Sequence, residues 1–217
     1  MNSHLHNSND KLQIFKLKEP IGNMTKIDVI RHGEPEGGRR YRGYGVNDPL
    51  TEKGWQQMWN SIPEQPPWDL IVSSPLARCL DFAQALAESV NINCIVEDDM
   101  KEIGFGVWEG LTPEEILTDD SEALNHFYAD PVHNRPEGAE GLEEFSKRVW
   151  DAYLSIASEH EGKHILIVGH AGVARAVAAN VLHMSLDDVY SSLGVEYAAI
   201  ITTVINGDAP PKLVIQA

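Results

Sequence analysis

Aliphatic runs and helically spaced apolar residues alternate along the chain. Residues 165–168 form an unbroken aliphatic run, as expected of a strand buried on both faces, and residues 27–31 form a second strand-like run. Further strands are predicted at 68–73, 92–96, 196–204 and 212–215, and helices at 51–61, 74–90, 113–117, 121–128, 143–158 and 173–183. This alternation predicts an α/β three-layer sandwich, with a mostly parallel central sheet and helices on both faces.

The domain organisation follows from the length and from two irregular segments. A chain of 217 residues suits one α/β domain, which we expect to span 25–217 after a polar N-terminal extension, 1–24. Residues 103–140 have little regular periodicity and are expected to form a lid over the strand ends that decides specificity. Ser74 followed by Pro75 has the pattern of an N-cap and a first helical residue, and predicts the start of the second long helix.

Composition and charge narrow the function classes. The net charge of −16 argues against nucleic acid and anionic membrane surfaces as partners. No apolar run is long enough to span a bilayer, and the first ten residues lack the apolar stretch of a signal peptide. Two cysteines, Cys79 and Cys94, form no disulfide framework, so a reducing cytoplasm is predicted. We expect a small-molecule partner, with a homodimer as the candidate assembly.

Two predicted strands end in histidine followed closely by glycine. They carry Arg31-His32-Gly33 and Gly169-His170-Ala171-Gly172. Open α/β sheets build their sites at the carboxyl ends of strands, so the two imidazoles are expected to share one pocket. Arg31 adds a permanent cation there. Four of the chain's eight arginines fall between positions 31 and 42. Arg31 lies within the strand end, whereas at least some of Arg39, Arg40 and Arg42 are expected to lie in a solvated loop.

Arg78 and an acidic residue complete the candidate chemistry. Arg78 lies about one turn into its helix and leans toward the helix N-terminus, where guanidinium and free amides suit an anion. Arginine forks match phosphate oxygens, and a neutral imidazole is a competent nucleophile toward phosphorus. A leaving alkoxide also needs a general acid. Glu102 is a candidate that chemistry alone does not separate from its neighbours Glu97, Asp98, Asp99 and Glu109.

These blocks together resemble a known family. The chain is similar to the histidine phosphatase superfamily, phosphoglycerate mutase-like, over about residues 25–205. The resemblance rests on Arg31-His32-Gly33-Glu34, Pro49-Leu50-Thr51-Glu52-Lys53-Gly54, Ser73-Ser74-Pro75-Leu76-Ala77-Arg78, Glu102-Ile103-Gly104-Phe105-Gly106-Val107-Trp108-Glu109-Gly110 and Gly169-His170-Ala171-Gly172.

The resemblance implies a phosphomonoesterase of the histidine acid phosphatase type that forms a phosphohistidine. His32 would be the nucleophile and Glu102 the proton donor, while Arg31, Arg78 and His170 bind the phosphoryl group. Gly33, Arg42 and Ala171 are expected to contact substrate. No metal and no cofactor are implied, because arginine and histidine supply the positive charge.

Two positions depart from the family pattern. Gly38 stands where many members carry an asparagine, so one phosphate donor is lost or is replaced by backbone or by an arginine such as Arg42. The family's Gly-Glu-Ser helix start reads Gly138-Ala139-Glu140-Gly141, so the N-cap hydroxyl is missing and the helix start is free to shift.

Several alternatives stay open. The short chain favours a phosphatase over a phosphoglycerate mutase, and Arg-His-Gly-Glu is similar to the α-ribazole phosphatases of cobalamin synthesis. A metal-binding protein is a different class, but seven of the nine histidines show no common ligand spacing: His4, His6, His126, His133, His160, His164 and His183. A non-catalytic binding relative ranks below an enzyme, because every position needed for catalysis holds a chemically able residue.

Overall fold

A mixed six-stranded sheet forms the centre of the part of the chain that the computed structural model describes, residues 24–214. Its strands are β1 (Met24–Arg31), β2 (Leu70–Ser73), β3 (Asn93–Val96), β4 (His164–Gly169), β5 (Ile200–Asn206) and β6 (Lys212–Val214). The order is β3-β2-β4-β1-β5-β6, in which the first four strands run parallel, β5 is antiparallel to β1, and β6 is antiparallel to β5. The predicted extension, 1–24, lies outside the described residues except for Met24.

Helices cover both faces of this sheet. They are α1 (Glu52–Ser61), α2 (Ala77–Val90), α3 (Pro113–Asp119), α4 (Ala123–Ala129), α5 (Leu142–Glu159), α6 (Ala171–Leu182) and α7 (Leu186–Ser192). Successive residues of β4 point to opposite faces: Ile165 and Ile167 join the core under α5 and α6, whereas Leu166 and Val168 join the core under α1 and α2. The predicted three-layer α/β architecture is confirmed.

A buried carboxylate interrupts the aliphatic run of β1. Asp28 accepts hydrogen bonds from Trp68 Nε1 (2.8 Å), His164 Nε2 (2.7 Å) and Thr202 Oγ1 (2.6 Å). Burial acts to raise the pKa of Asp28, but these hydrogen bonds outweigh it and hold the pKa below its usual value. Asp28 therefore links β1 to β4, to β5 and to the segment before β2.

Strand register brings the functional segments to one edge. Arg31 pairs with Gly169 across β1 and β4, and Ser73 pairs with Val168 across β2 and β4. Beyond the strands, the amide of His32 donates to the Gly169 carbonyl (2.9 Å). Because these three parallel strands end together, the residues that follow them meet at one edge of the sheet.

The predicted start of α2 at Ser74 and Pro75 is wrong. The helix begins at Ala77, and its N-cap is Leu76 without a side-chain hydrogen bond. The Ser74 amide instead continues the sheet by donating to the Val168 carbonyl (3.0 Å), which keeps Ser74 extended. The Ser74 hydroxyl accepts from the Leu76 amide (3.3 Å) in the turn before the helix and also reaches the end of the neighbouring strand.

Two other local expectations are settled by the structure. The helix start at Gly141 has no side-chain cap, as the missing hydroxyl predicted, and α5 begins at Leu142. The strand predicted at 196–204 begins only at Ile200. Ala198 has a φ of 58°, a left-handed conformation that a strand does not allow, and its amide donates to the Arg31 carbonyl (3.0 Å).

An aromatic cluster organises the segment 103–140. Its rings are Tyr41, Phe105, Trp108, Phe127 and Tyr128, and the centroids of neighbouring pairs lie 5.1–6.3 Å apart. Edge-to-face geometry dominates, as the ring quadrupoles favour. The cluster joins the loop after β1 to α4, so this segment packs beside the carboxyl ends of the strands. No helix among the described residues is long and apolar enough to cross a membrane.

Candidate active site

The two strand-end histidines lie next to each other. The ring centroids of His32 and His170 are 5.2 Å apart, and the ring planes meet at 67°. Both follow parallel strands, β1 and β4, which are direct neighbours in the sheet. The predicted convergence of the two imidazoles is therefore confirmed.

Backbone contacts fix the orientation of the His32 ring. Its Nδ1 donates to the Gly33 carbonyl (2.7 Å), and a carbonyl can only accept, so Nδ1 carries the proton and Nε2 keeps its lone pair. Gly33 is held against α1, because a Cβ there would lie 2.2 Å from the Gly54 carbonyl oxygen. Burial, together with the nearby cations Arg78, Arg31 and Arg42, holds the pKa of His32 well below its ordinary value. The imidazole is therefore neutral and fixed in one tautomer.

His170 is fully buried and is held by two side chains. Its Nε2 lies 2.7 Å from Ser74 Oγ, and the Cys79 thiol lies 3.6 Å from the same nitrogen. Burial first, and then the charge of Arg78, lowers the pKa of His170 well below its ordinary value. The thiol donates to the Gly169 carbonyl, and burial raises the pKa of Cys79 to about 12, so it packs as a neutral group.

Two arginines, the buried Arg78 and the half-buried Arg31, flank His32. Arg78 donates to the carbonyls of Val46 (2.9 Å) and Gly43 (2.7 Å), and Arg31 donates to the carbonyl of Val195 (2.6 Å). Desolvation lowers the pKa of both guanidinium groups. Within the described chain, Nε of Arg31 and Nε of Arg78 are buried without a hydrogen-bond partner. Arg135 Nε is buried without a partner in the same way, but Arg31 and Arg78 also line one cleft with His32, and two cations at one cleft favour an anion there.

Glu102 is the acidic candidate that lines the same cleft. Its carboxylate accepts from the amide of Ile103 (3.0 Å) and from the amide of Gly172 in the first turn of α6 (3.3 Å). A Cβ at Gly172 would lie 2.1 Å from Glu102 Oε1, so only glycine leaves room for this contact. The competitors are engaged elsewhere: Glu109 accepts from Phe105 N, and Glu97 caps the short 3₁₀ turn Asp98–Met100.

Arg42 braces the loop at which the chain departs from its family. Arg42 Nη2 donates to the Gly38 carbonyl (2.7 Å) and to the Glu36 carbonyl (2.5 Å), and Arg42 Nε pairs with the Asp48 carboxylate (2.9 Å). Arg42 also lines the cleft. In this conformation the guanidinium stabilises the backbone around Gly38, and its hydrogen bonds to carbonyls occupy donors that would otherwise face a phosphate.

The cleft has a volume of about 330 Å³. Its walls are formed by Arg31, His32, Arg39, Arg40, Tyr41, Arg42, Gly43, Arg78, Glu102, Phe105 and Tyr197. Tyr197 was missed from the sequence because the segment was assigned to a strand. The Arg31 guanidinium carbon lies 4.0 Å from the centroid of its ring, and the ring is 5.9 Å from that of His32.

The remaining histidines of the described chain form no cluster suited to a metal ion. Within residues 24–214, no three His, Cys, Asp or Glu side chains are grouped so that they could hold a metal ion. His164 is hydrogen bonded to Asp28, and His133 lies 2.9 Å from Asp130 at the surface. These contacts are structural pairs, and they account for two of the histidines that the metal alternative relied on.

Comparison with known proteins identifies the family. The model of the histidine phosphatase superfamily (branch 1) matches residues 27–215, so the chain belongs to this family. The match spans the sheet and all of the cleft residues. The resemblance inferred from the sequence blocks is therefore confirmed.

Several individual relatives are named as phosphatases. The chain is similar to phosphoserine phosphatase 1 of Hydrogenobacter thermophilus, at 30% identity over 171 residues, covering 77% of this chain and 81% of that protein. It is also similar to the α-ribazole phosphatase structure from Shigella flexneri, with a TM-score of 0.76 at 25% identity, covering 88% and 95%. Bifunctional protein Rv2228c of Mycobacterium tuberculosis is 34% identical over 154 residues, 69% of this chain. The chain spans 42% of the length of that relative.

Proposed function

We propose that this chain is a metal-independent phosphomonoesterase that acts on a small phosphorylated metabolite through a phosphohistidine at His32. The observation that carries the proposal is the neutral, tautomer-fixed imidazole of His32 beside the unsatisfied donors of Arg31 and Arg78. This arrangement places a nucleophile next to a site for the phosphoryl oxygens. The family membership of the chain and the phosphatases among its relatives support the same reaction class.

In the first step, the lone pair of His32 Nε2 attacks phosphorus. The P–N bond forms as the bond to the leaving oxygen breaks, and Glu102, in its acid form, gives its proton to that oxygen. In the second step, water attacks the phosphohistidine while Glu102 takes a proton from it. The P–N bond breaks, and inorganic phosphate and the neutral imidazole are regenerated.

The cationic groups stabilise charge during both steps. Arg31 and Arg78 are already desolvated and anchored to backbone carbonyls, so they need little reorganisation when the phosphoryl group arrives. We assign His170 to the same phosphoryl group, because its ring is in contact with that of His32. Arg31 and Arg78 supply the positive charge that a metal ion would otherwise bring, while His170, whose pKa burial lowers, contributes as a neutral imidazole.

The substrate contacts of Gly33, Arg42 and Ala171 remain predictions. Gly33 contributes the carbonyl that fixes the tautomer of His32, and Ala171 begins α6 beside His170. The lid role of residues 103–140 is also a proposal, supported by the position of Phe105 in the cleft wall. The homodimer remains a prediction too.

The test is an assay with p-nitrophenyl phosphate, α-ribazole phosphate and 3-phosphoglycerate in the presence of a chelator. Phosphate release that continues under chelation supports the proposal, and release that is lost and then restored by a metal contradicts metal independence. Conversion of 3-phosphoglycerate to its 2-isomer without phosphate release would instead identify a mutase, and preference for α-ribazole phosphate would identify the narrower alternative.

His32→Ala tests the covalent step. Loss of the nucleophile should lower kcat by about a thousandfold or more, and alkaline quenching of the wild type should preserve a phosphohistidine that mass spectrometry locates at residue 32. His160→Ala is the matched control, because His160 ends α5 outside the cleft. Undiminished hydrolysis by His32→Ala would exclude this mechanism and leave a non-catalytic or different site to be found.

A further inference from the structure

The cleft holds more positive charge than one phosphoryl group requires. The chain has a net charge of −16, yet five arginines line this one cleft, with Glu102 as the carboxylate among the lining residues. In such an acidic protein, a local cationic cleft is what allows an anion to approach. The five arginines therefore supply more positive charge than the transferred phosphoryl group alone needs.

Three of the five cleft arginines already have a role, either beside His32 or in holding the loop. Arg31 and Arg78 line the cleft with His32, and the proposed mechanism assigns both to the phosphoryl group. Arg42 is occupied by Asp48 and by the loop carbonyls of Glu36 and Gly38. The surplus charge is thus confined to Arg39 and Arg40, which follow the Gly37-Gly38 turn at the rim of the cleft.

Arg40 is partly engaged, and Arg39 is not. Arg40 donates from both Nε (2.8 Å) and Nη2 (2.5 Å) to the Gly37 carbonyl, and its positive charge helps to lower the pKa of Glu115 in α3. Arg39 is exposed, lines the cleft and, across the residues that the structure describes, lies within ion-pair distance of no carboxylate. Its fork is available to a ligand.

The volume of the cleft favours a small substrate. A volume of about 330 Å³ lies at the small end of ligand sites, so the cleft suits a phosphorylated metabolite of about the size of a sugar or smaller. Tyr41 and Phe105 form the wall on the side of the aromatic cluster. A second anion on so small a leaving group would lie within reach of the same rim.

We propose that Arg39 binds a second anionic group on the leaving group, so that the preferred substrates are small phosphate monoesters that carry a carboxylate or another phosphate. The inference rests on the proposed phosphatase function and narrows its substrate class. Arg39 acts on substrate selection, while Arg31 and Arg78 bind the phosphoryl group that is transferred. A guanidinium fork pairs with either anion, so the experiment distinguishes the two sources.

Matched substrate pairs isolate the second anion. 3-Phosphoglycerate and glycerol 3-phosphate share a carbon chain and differ in a carboxylate against a hydroxymethyl group, and glucose 1,6-bisphosphate and glucose 6-phosphate differ in a second phosphate. The wild type should show a kcat/KM about tenfold to hundredfold higher for the doubly anionic member of one pair, as expected for a charge-assisted pair. The pair that discriminates identifies the anion. Equal values within both pairs would overturn the proposal.

Arg39→Gln is the test variant, and Lys163→Gln makes the same charge change at the opposite edge of the sheet, just before β4. Arg39→Gln should remove the preference, because it should lower kcat/KM for the doubly anionic ester about tenfold more than for the singly anionic one, whereas Lys163→Gln should keep the preference. An equal loss on both members of a pair, or a preserved preference, contradicts the assignment. Calorimetric affinities for the same esters separate the two proposals: absent hydrolysis counts against the phosphatase, while binding lost selectively in Arg39→Gln still supports the role of Arg39.

Discussion

Gly172→Ala should disconnect Glu102 from the reaction without unfolding the protein. In the structure the Gly172 amide donates to Glu102 Oε2 (3.3 Å), at the start of α6. An added Cβ would lie 2.1 Å from Glu102 Oε1 and 3.1 Å from Phe145 Cζ. Alanine is the better helix former by about 1 kcal/mol, so the helix itself should tolerate the change. The carboxylate, at the end of a flexible side chain, is the group that moves.

The size of the effect follows from that displacement. Moving from 2.1 Å to an ordinary contact of about 3.4 Å shifts the carboxylate by about 1.3 Å. A misplacement of about 1 Å can cost a factor of about 100, which lies within the range that general acids contribute. We therefore expect kcat/KM for alkyl phosphates to fall about a hundredfold, equivalent to about 2.7 kcal/mol of transition-state stabilisation.

The assay compares two leaving groups. An alkyl alkoxide needs the proton of Glu102, whereas p-nitrophenolate departs without one, so Gly172→Ala should lower kcat/KM strongly for glycerol 3-phosphate and weakly for p-nitrophenyl phosphate. Glu102→Gln should show the same selectivity. Gly194→Ala is the matched control, because a Cβ at Gly194 meets nothing within 4 Å. Equal losses on both substrates, or none, would refute the role of the Gly172 contact.

Two further predictions concern pH and stability. Burial holds the pKa of His32 and of His170 below the ordinary value, so the unfolded chain, whose imidazoles have a pKa of about 6.5, binds more protons than the folded chain below that pH. The free energy of unfolding should therefore fall as the pH drops below about 6.5. An NMR titration should show that His32 is still neutral there, and a normal titration curve would contradict the burial argument. Asp28→Ala leaves the donors of Trp68, His164 and Thr202 unpaired and should lower the free energy of unfolding by about 3 kcal/mol in urea; an unchanged midpoint would show that the network contributes little.

The strand ends were the part of the site that the sequence could predict. Aliphatic runs that stop at His32 and His170 place both imidazoles at one edge, because parallel strands end together. Glu102, in contrast, could be separated from its neighbours only by resemblance, since its position depends on the amide of Gly172, 70 residues further on. Periodicity carries no information about such distant pairs.

Two errors share a physical cause. Ser74 has the residue pattern of a helix cap, and 196–199 continues an apolar segment, so local propensity assigned a helix start and a strand. The Ser74 amide instead donates to the Val168 carbonyl and extends the sheet pairing. Ala198 adopts a left-handed conformation, and the ring of Tyr197 before it packs against Arg31. In both places a contact distant in sequence outweighed a local preference, and each contact belongs to the site.

The glycine contact beneath His32 has a consequence for how this enzyme can change over time. A Cβ at Gly33 would strike the Gly54 carbonyl, and a Cβ at Gly54 would lie 2.1 Å from the Glu34 carbonyl oxygen, so neither position can accept a side chain without a shift of the backbone next to His32. At Gly38, in the rim loop, a Cβ would meet nothing within 4 Å. New substrates can thus be acquired by altering the rim, while the bond-breaking machinery is inherited as a fixed unit.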